Sequence, residues 1–149
     1  MKFQRRFVVI FPVLLLIVLS GCRHMDTITQ NHAETRQTHR DPTLRPRIYA
    51  TSTGTTFDYT RDIVRSLPRW EEVQQNPSSG QIRAVRRSRL FHFVDDVRIE
   101  ITETTSGKTA VHAASQSRIG KWDFGQNARN IRTFLNALDE KIKSIKGGD

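Results

Sequence analysis

The densest polar run after the N-terminal leader reads Ser115-Gln116-Ser117-Arg118-Ile119-Gly120-Lys121-Trp122-Asp123-Phe124-Gly125-Gln126-Asn127. With Asp95 and Asp96 upstream, it offers a hydroxyl, a guanidinium, carboxylates and an amide. A hydrolase would set Ser117 against His112 or His92 and an aspartate. His112 and Ser117 stand on one extended segment, five positions apart, so they face opposite sides roughly 17 Å from each other. No glycine-x-serine-x-glycine elbow presents a nucleophile. A divalent cation would need Asp95, Asp96 and Asp123 to converge, yet they lack the regular spacing of a ligand loop. Adjacent aspartates at a strand start point to opposite faces. The structural use fits better. Asp123 and Asn127 are helix-capping types, and Arg118 pairs with Asp95, Asp96 or Asp123 to pin the turn. No catalytic residue, metal or cofactor is therefore assigned. Asp95, Asp96, Ser117, Arg118, Gly120, Asp123, Gly125 and Asn127 stand as a polar cluster of structural or binding character.

A second group is cationic. Read as a strand, Gln81–Leu90 puts Arg83, Arg87 and Arg89 on one face and Arg86 on the other. Guanidinium forks match phosphate and carboxylate geometry. The three are a candidate anion site for a lipid head group or an acidic partner.

Cys22 is the chain's single cysteine, and it follows Leu19-Ser20-Gly21. Ahead of it lie Lys2, Arg5 and Arg6 and then an uncharged run from Phe7 to Gly21, the layout of a secretory signal. That run is short of the roughly 20 residues that span a bilayer, and Pro12 would weaken a helix through it. The Leu-Ser-Gly-Cys ending resembles the lipobox of bacterial lipoproteins. The resemblance implies a diacylglyceryl thioether at Cys22, cleavage just before it, and acylation of the new amine. Arg23 replaces the aspartate that commonly retains such proteins in the inner membrane, which implies an outer-membrane anchor facing the periplasm. Several acyl chains hold a protein stably where one does not. With Cys22 consumed, no thiol remains for a disulfide or a metal.

The formal net charge is +9, and Lys2, Arg5 and Arg6 belong to the leader, leaving +6 for the rest. A basic chain outside the cytoplasm, without a zinc-finger or RNA-binding signature, points to anionic lipid, glycan or a protein partner rather than nucleic acid.

The elements follow from periodicity. Residues 1–21 are the signal and 22–47 a flexible tether, polar and poor in bulky apolar groups. Residues 48–149 form one domain. Tyr59, Ile63, Val64 and Leu67 have helical spacing, ended by Pro68. Trp70–Gln74 is a first strand, and Asn76–Gly80 a turn. Val97, Ile99 and Ile101 alternate with polar residues in a third strand, and Lys108–Ser117 is a fourth. Ile131, Phe134, Leu135, Leu138, Ile142 and Ile145 make the apolar stripe of a last helix. The expected fold is α+β: a four-stranded antiparallel meander sheet with two helices packed on one face.

Ser117-Arg118-Ile119-Gly120, then Asp123, Gly125 and Asn127, with Phe93-Val94-Asp95-Asp96-Val97 upstream, resemble the bacterial and plastid family called Domain of Unknown Function 1499. The resemblance runs from about Ile48 to Leu138 and implies no activity. Members often carry arginines at the positions of Ala114 and Asn130, so any anion site built by those two arginines is weakened here. The expected function is that of a non-catalytic, membrane-anchored envelope lipoprotein binding a partner protein or envelope component. A carrier of lipid or another apolar ligand, with its pocket under the last helix, is the alternative. An enzyme using Asp95, Asp96, Arg118 and Asp123 ranks last.

Overall fold

The computed structural model describes residues 31–89, 93–120 and 123–147. The signal, Cys22, Arg23 and the first part of the expected tether lie outside the described residues, as do Leu90-Phe91-His92 and Lys121-Trp122. Six strands form one antiparallel sheet: β1 (His32–Glu34), β2 (Arg47–Tyr49), β3 (Trp70–Asn76), β4 (Gln81–Arg87), β5 (Val94–Glu103) and β6 (Thr109–Ser117). Among the described residues two α-helices, α1 (Thr53–Ser66) and α2 (Gln126–Lys146), accompany the sheet in an α+β fold. Strand order is β1-β6-β5-β4-β3, and β2 also pairs with β6.

The meander β3–β6 is the four-stranded sheet that the alternation predicts. The two further strands are a correction, and they overturn the tether from residue 31 onward. β1 lies on Ala114–Gln116 and β2 on Thr109–Val111, end to end along the free edge of β6. An unpaired edge exposes a row of N–H and C=O groups, and these two short strands cover it. Between them, Leu44 enters the core at 2% exposure. Asp41 accepts from the Thr43 backbone and hydroxyl, and Arg132 of α2 donates to both Asp41 and Thr43.

One core sits between the sheet and both helices. Ile82, Val97, Ile99 and Val111 on the inner sheet face meet Phe57 and Val64 of α1 and Ile131, Phe134, Leu135 and Leu138 of α2. Trp70 packs on Phe134, ring centroids 6.4 Å apart. Ile145 departs from the expected stripe: in the last turn of α2 it is exposed, beyond the sheet's reach. Among the described residues no helix lies over the other sheet face.

The β3–β4 turn depends on Gly80, whose φ of 64° is left-handed. A Cβ there would lie 2.1 Å from the carbonyl oxygen of Ile101 on β5. Gly80→Ala should therefore cost about 3 kcal/mol. Gly54→Ala in α1, with nothing within 4 Å of the new methyl, should be neutral or stabilising by up to about 1 kcal/mol. Urea denaturation of both variants checks the contrast. The Asp41 carboxyl is held down at about 2, first by the Thr43 hydroxyl and next by Arg132. Because the folded pKa is the lower one, this contribution is complete above about pH 4 and fades as pH falls toward 2. Arg132→Leu should flatten that acid limb of the stability curve, as read from urea midpoints across the range.

Candidate functional site

Alternation along β5 and β6 sorts the predicted polar cluster onto two faces. Asp95, Ser115 and Ser117 point inward, while Asp96, Gln116 and Arg118 belong to the open side. The eight residues are therefore not one site, and Asp95, Asp96 and Asp123 do not converge.

On the inner face the polar residues lie beneath the start of α2. Asp95 accepts from the Ser117 hydroxyl at 2.7 Å and from Asn130 Nδ2 at 2.8 Å. Arg86, also inward-facing, stands 3.7 Å from the same carboxylate. Burial pulls the Arg86 guanidinium below its ordinary pKa, and the Asp95 charge opposes that pull. Asn127 donates to the Asn31 carbonyl and to Ser117 Oγ, and accepts from Ser115 Oγ at 2.6 Å. Asp123 receives the backbone N–H groups of Gly125 and Asn127, serving as the α2 cap. Gly125 itself occupies the N-cap position, and Gly120 supplies a carbonyl to Asn31 Nδ2. The buried side chains of Asp95, Ser115, Ser117, Asn127 and Asn130 are matched to one another, which makes this a framework. Ser117 is spent on Asp95, and His112 lies opposite Glu100 on the other face.

The open face holds a groove with a cavity volume of about 340 Å³, bordered by Gln74, Arg83, Asp96, Arg98, Gln116 and Arg118. Arg118 grips Asp96 through two hydrogen bonds of 2.9 and 2.8 Å. That grip holds the Asp96 carboxyl below its usual range, with the Arg118 and Arg83 charges adding to it. Glu34, at the groove's other side, is taken by Arg36 at 2.6 Å. Arg83 and Arg98 are left as excess charge. They are directly opposite each other in the β4–β5 register, and among the described residues neither makes an ion pair. Like charges so placed repel.

Of the predicted anion group, Arg83 faces the groove, Arg87 pairs with Glu71 at 3.3 Å, and Arg89 lies past the strand end. The three therefore share no single site. Arg98 is the member that sequence reasoning missed, because it is placed beside Arg83 only by the pairing of two strands. Ala114 and Asn130, where family arginines are expected, fall on opposite faces, so those arginines could not build one anion site. Ala114 instead forms the groove floor between Glu34 and Arg98. The space under α2 that a carrier would need is filled by Ile131, Phe134, Leu135 and Leu138, all at 0% exposure.

Asp95→Ala should destabilise the fold by about 3 kcal/mol, since it strands the partly buried Arg86 guanidinium and two donors. Asp96→Ala, which breaks an exposed pair, should cost under about 1 kcal/mol. Equilibrium unfolding of the two variants checks this.

Residues 24–138 match the family described as "Protein of unknown function (DUF1499)". No curated relative matches the chain. The match takes in α1, all six strands, the whole 115–127 segment and α2 as far as Leu138. The chain belongs to the DUF1499 family.

Proposed function

We propose that this protein is a bacterial envelope lipoprotein, anchored through lipid on Cys22, whose domain is a binding module without catalysis. The anchor reading rests on the leader and its Leu19-Ser20-Gly21-Cys22 ending. An outer-membrane position facing the periplasm follows from Arg23 in the same way. The binding reading is carried by one observation: Arg83 and Arg98 side by side in the groove of the outer sheet face, neither of them in an ion pair among the described residues. Two unbalanced guanidinium forks favour a ligand that offers phosphate or carboxylate. The ligand is thus an anionic envelope component or an acidic patch on a partner protein. Gln74 and Gln116 beside them add neutral donors and acceptors.

Two measurements test this. Cells grown with labelled fatty acid should yield labelled protein in the membrane fraction, and Cys22→Ala should abolish both label and location. Calorimetric titration with a phosphate-bearing envelope glycan should give salt-sensitive binding. Arg83→Ala with Arg98→Ala should weaken that binding at least about tenfold, the worth of one lost charge-assisted hydrogen bond. Unchanged affinity in the double variant would remove the groove from the account.

A further inference from the structure

The geometry points to a membrane-docking end: the loop tips carrying Ile119 and Phe124, with Arg69, Arg89 and Arg129 around them, rest on an anionic bilayer surface. This rests in part on the anchor reading, because the anchor decides which end lies nearest the membrane. The described chain begins at Asn31, whose carbonyl accepts from the Ser117 backbone and whose side chain donates to the Gly120 carbonyl. Asn31 thus lies beside the β6–α2 loop. Eight residues separate Cys22 from Asn31, and at full stretch they allow about 30 Å. The opposite end, with the β5–β6 turn, stands roughly 30 Å farther off along the ten-residue β5. A lipid on Cys22 therefore presents the loop end to the bilayer.

That end has the chemistry for it. Ile119 and Phe124 are each 70% exposed, the most exposed large apolar side chains among the described residues. Phe93, 48% exposed, is at the same end, where the Arg118 backbone donates to the Val94 carbonyl. Phe124 is held outward. Its φ of 49° is left-handed, a conformation bulky residues avoid. The Asp123 cap on one side and Arg129 Nη1 on its carbonyl, at 2.9 Å, maintain it. The acidic residues nearby are already engaged, Glu71 by Arg87 and Asp96 by Arg118, and Asp123 by the helix start. Arg69, Arg89 and Arg129 are exposed, and among the described residues none of them makes an ion pair. Apolar tips within a basic rim match an interface of acyl chains beneath anionic head groups.

The test uses the chain's own economy of thiols. With Cys22 acylated, Ile119→Cys in the full-length protein carries a single reactive thiol for an environment-sensitive fluorophore. Ser106→Cys, in the β5–β6 turn, gives the control at the far end. The proteins are reconstituted on vesicles of phosphatidylethanolamine and phosphatidylglycerol that contain doxyl-labelled lipid. The probe at position 119 should be quenched and blue-shifted, and the probe at 106 should not. Arg69→Gln and Arg89→Gln should each lower the docked-to-undocked ratio, by about fivefold per arginine. Equal quenching at the two positions, or none at 119, overturns the proposal. If Cys22 itself reacts with maleimide, the anchor reading fails separately. Flotation of that unacylated chain on the same vesicles then decides docking: loss of flotation in Phe124→Glu supports it, and flotation that is absent or unaffected by the change overturns it.

Discussion

A single buried amide ties three stretches of the chain together at one end of the sheet. Asn127, at 0% exposure, joins the chain's entry point at Asn31, the end of β6 through Ser115 and Ser117, and the first turn of α2. Its donors and its oxygen are all used, so no lone group remains to be solvated. An unpaired amide at this depth would cost more than the bonds gain. The arrangement therefore holds as a unit or not at all. Through it β1 is laid on β6, and with β1 come His32 and Glu34 at the groove's margin.

Charge is distributed by the two-residue period of the strands. Asp95 and Asp96 are neighbours in sequence and lie on opposite sides of the sheet. Asp95 enters a closed network with Arg86, Ser117 and Asn130, whereas Asp96 remains in water with Arg118. The first arrangement is costly to break and contributes rigidity. The second contributes little to stability and leaves the outer face electrically active. On that face each carboxylate at the groove has its own arginine, which isolates Arg83 and Arg98 as the unspent pair. A sheet side meant only for solvent would gain by placing one acidic residue opposite one basic residue there.

The β4–β6 strands and α2 were legible because they are long enough for their periods to show. Val97, Ile99 and Ile101 declare one face, and Ile131 to Ile142 declare one stripe. Residues 31–49 were not legible, for a physical reason. Strands of three residues cannot display alternation, and their order comes from partners roughly 60 to 90 positions away, such as Val111 for Arg47, Ala113 for Thr35 and Arg132 for Asp41. Polar composition suggested a tether, but a polar segment is ordered when a free sheet edge supplies its hydrogen bonds. The split of the polar cluster was half legible: alternation separates Asp95 from Asp96, and it could not reveal that Asn130 reaches across to Asp95. Arg98 beside Arg83 needed the register, which the sequence does not print.

At the loop end the usual arrangement is inverted, with polar groups inside and large apolar ones outside. Asp95, Asn127 and Asn130 occupy the interior under α2, while Ile119 and Phe124 face out. The two facts are linked. The buried network fixes the backbone from Ser117 through Asn127 at both ends, and Asp123 is committed to the helix cap. A loop so pinned cannot fold its apolar tips inward without releasing several buried hydrogen bonds. Burying one large side chain gains about 1.5–3 kcal/mol, and exposing a satisfied network forfeits at least as much. The fold therefore holds these tips in water, and only a second apolar phase brought against that end can remove them from it.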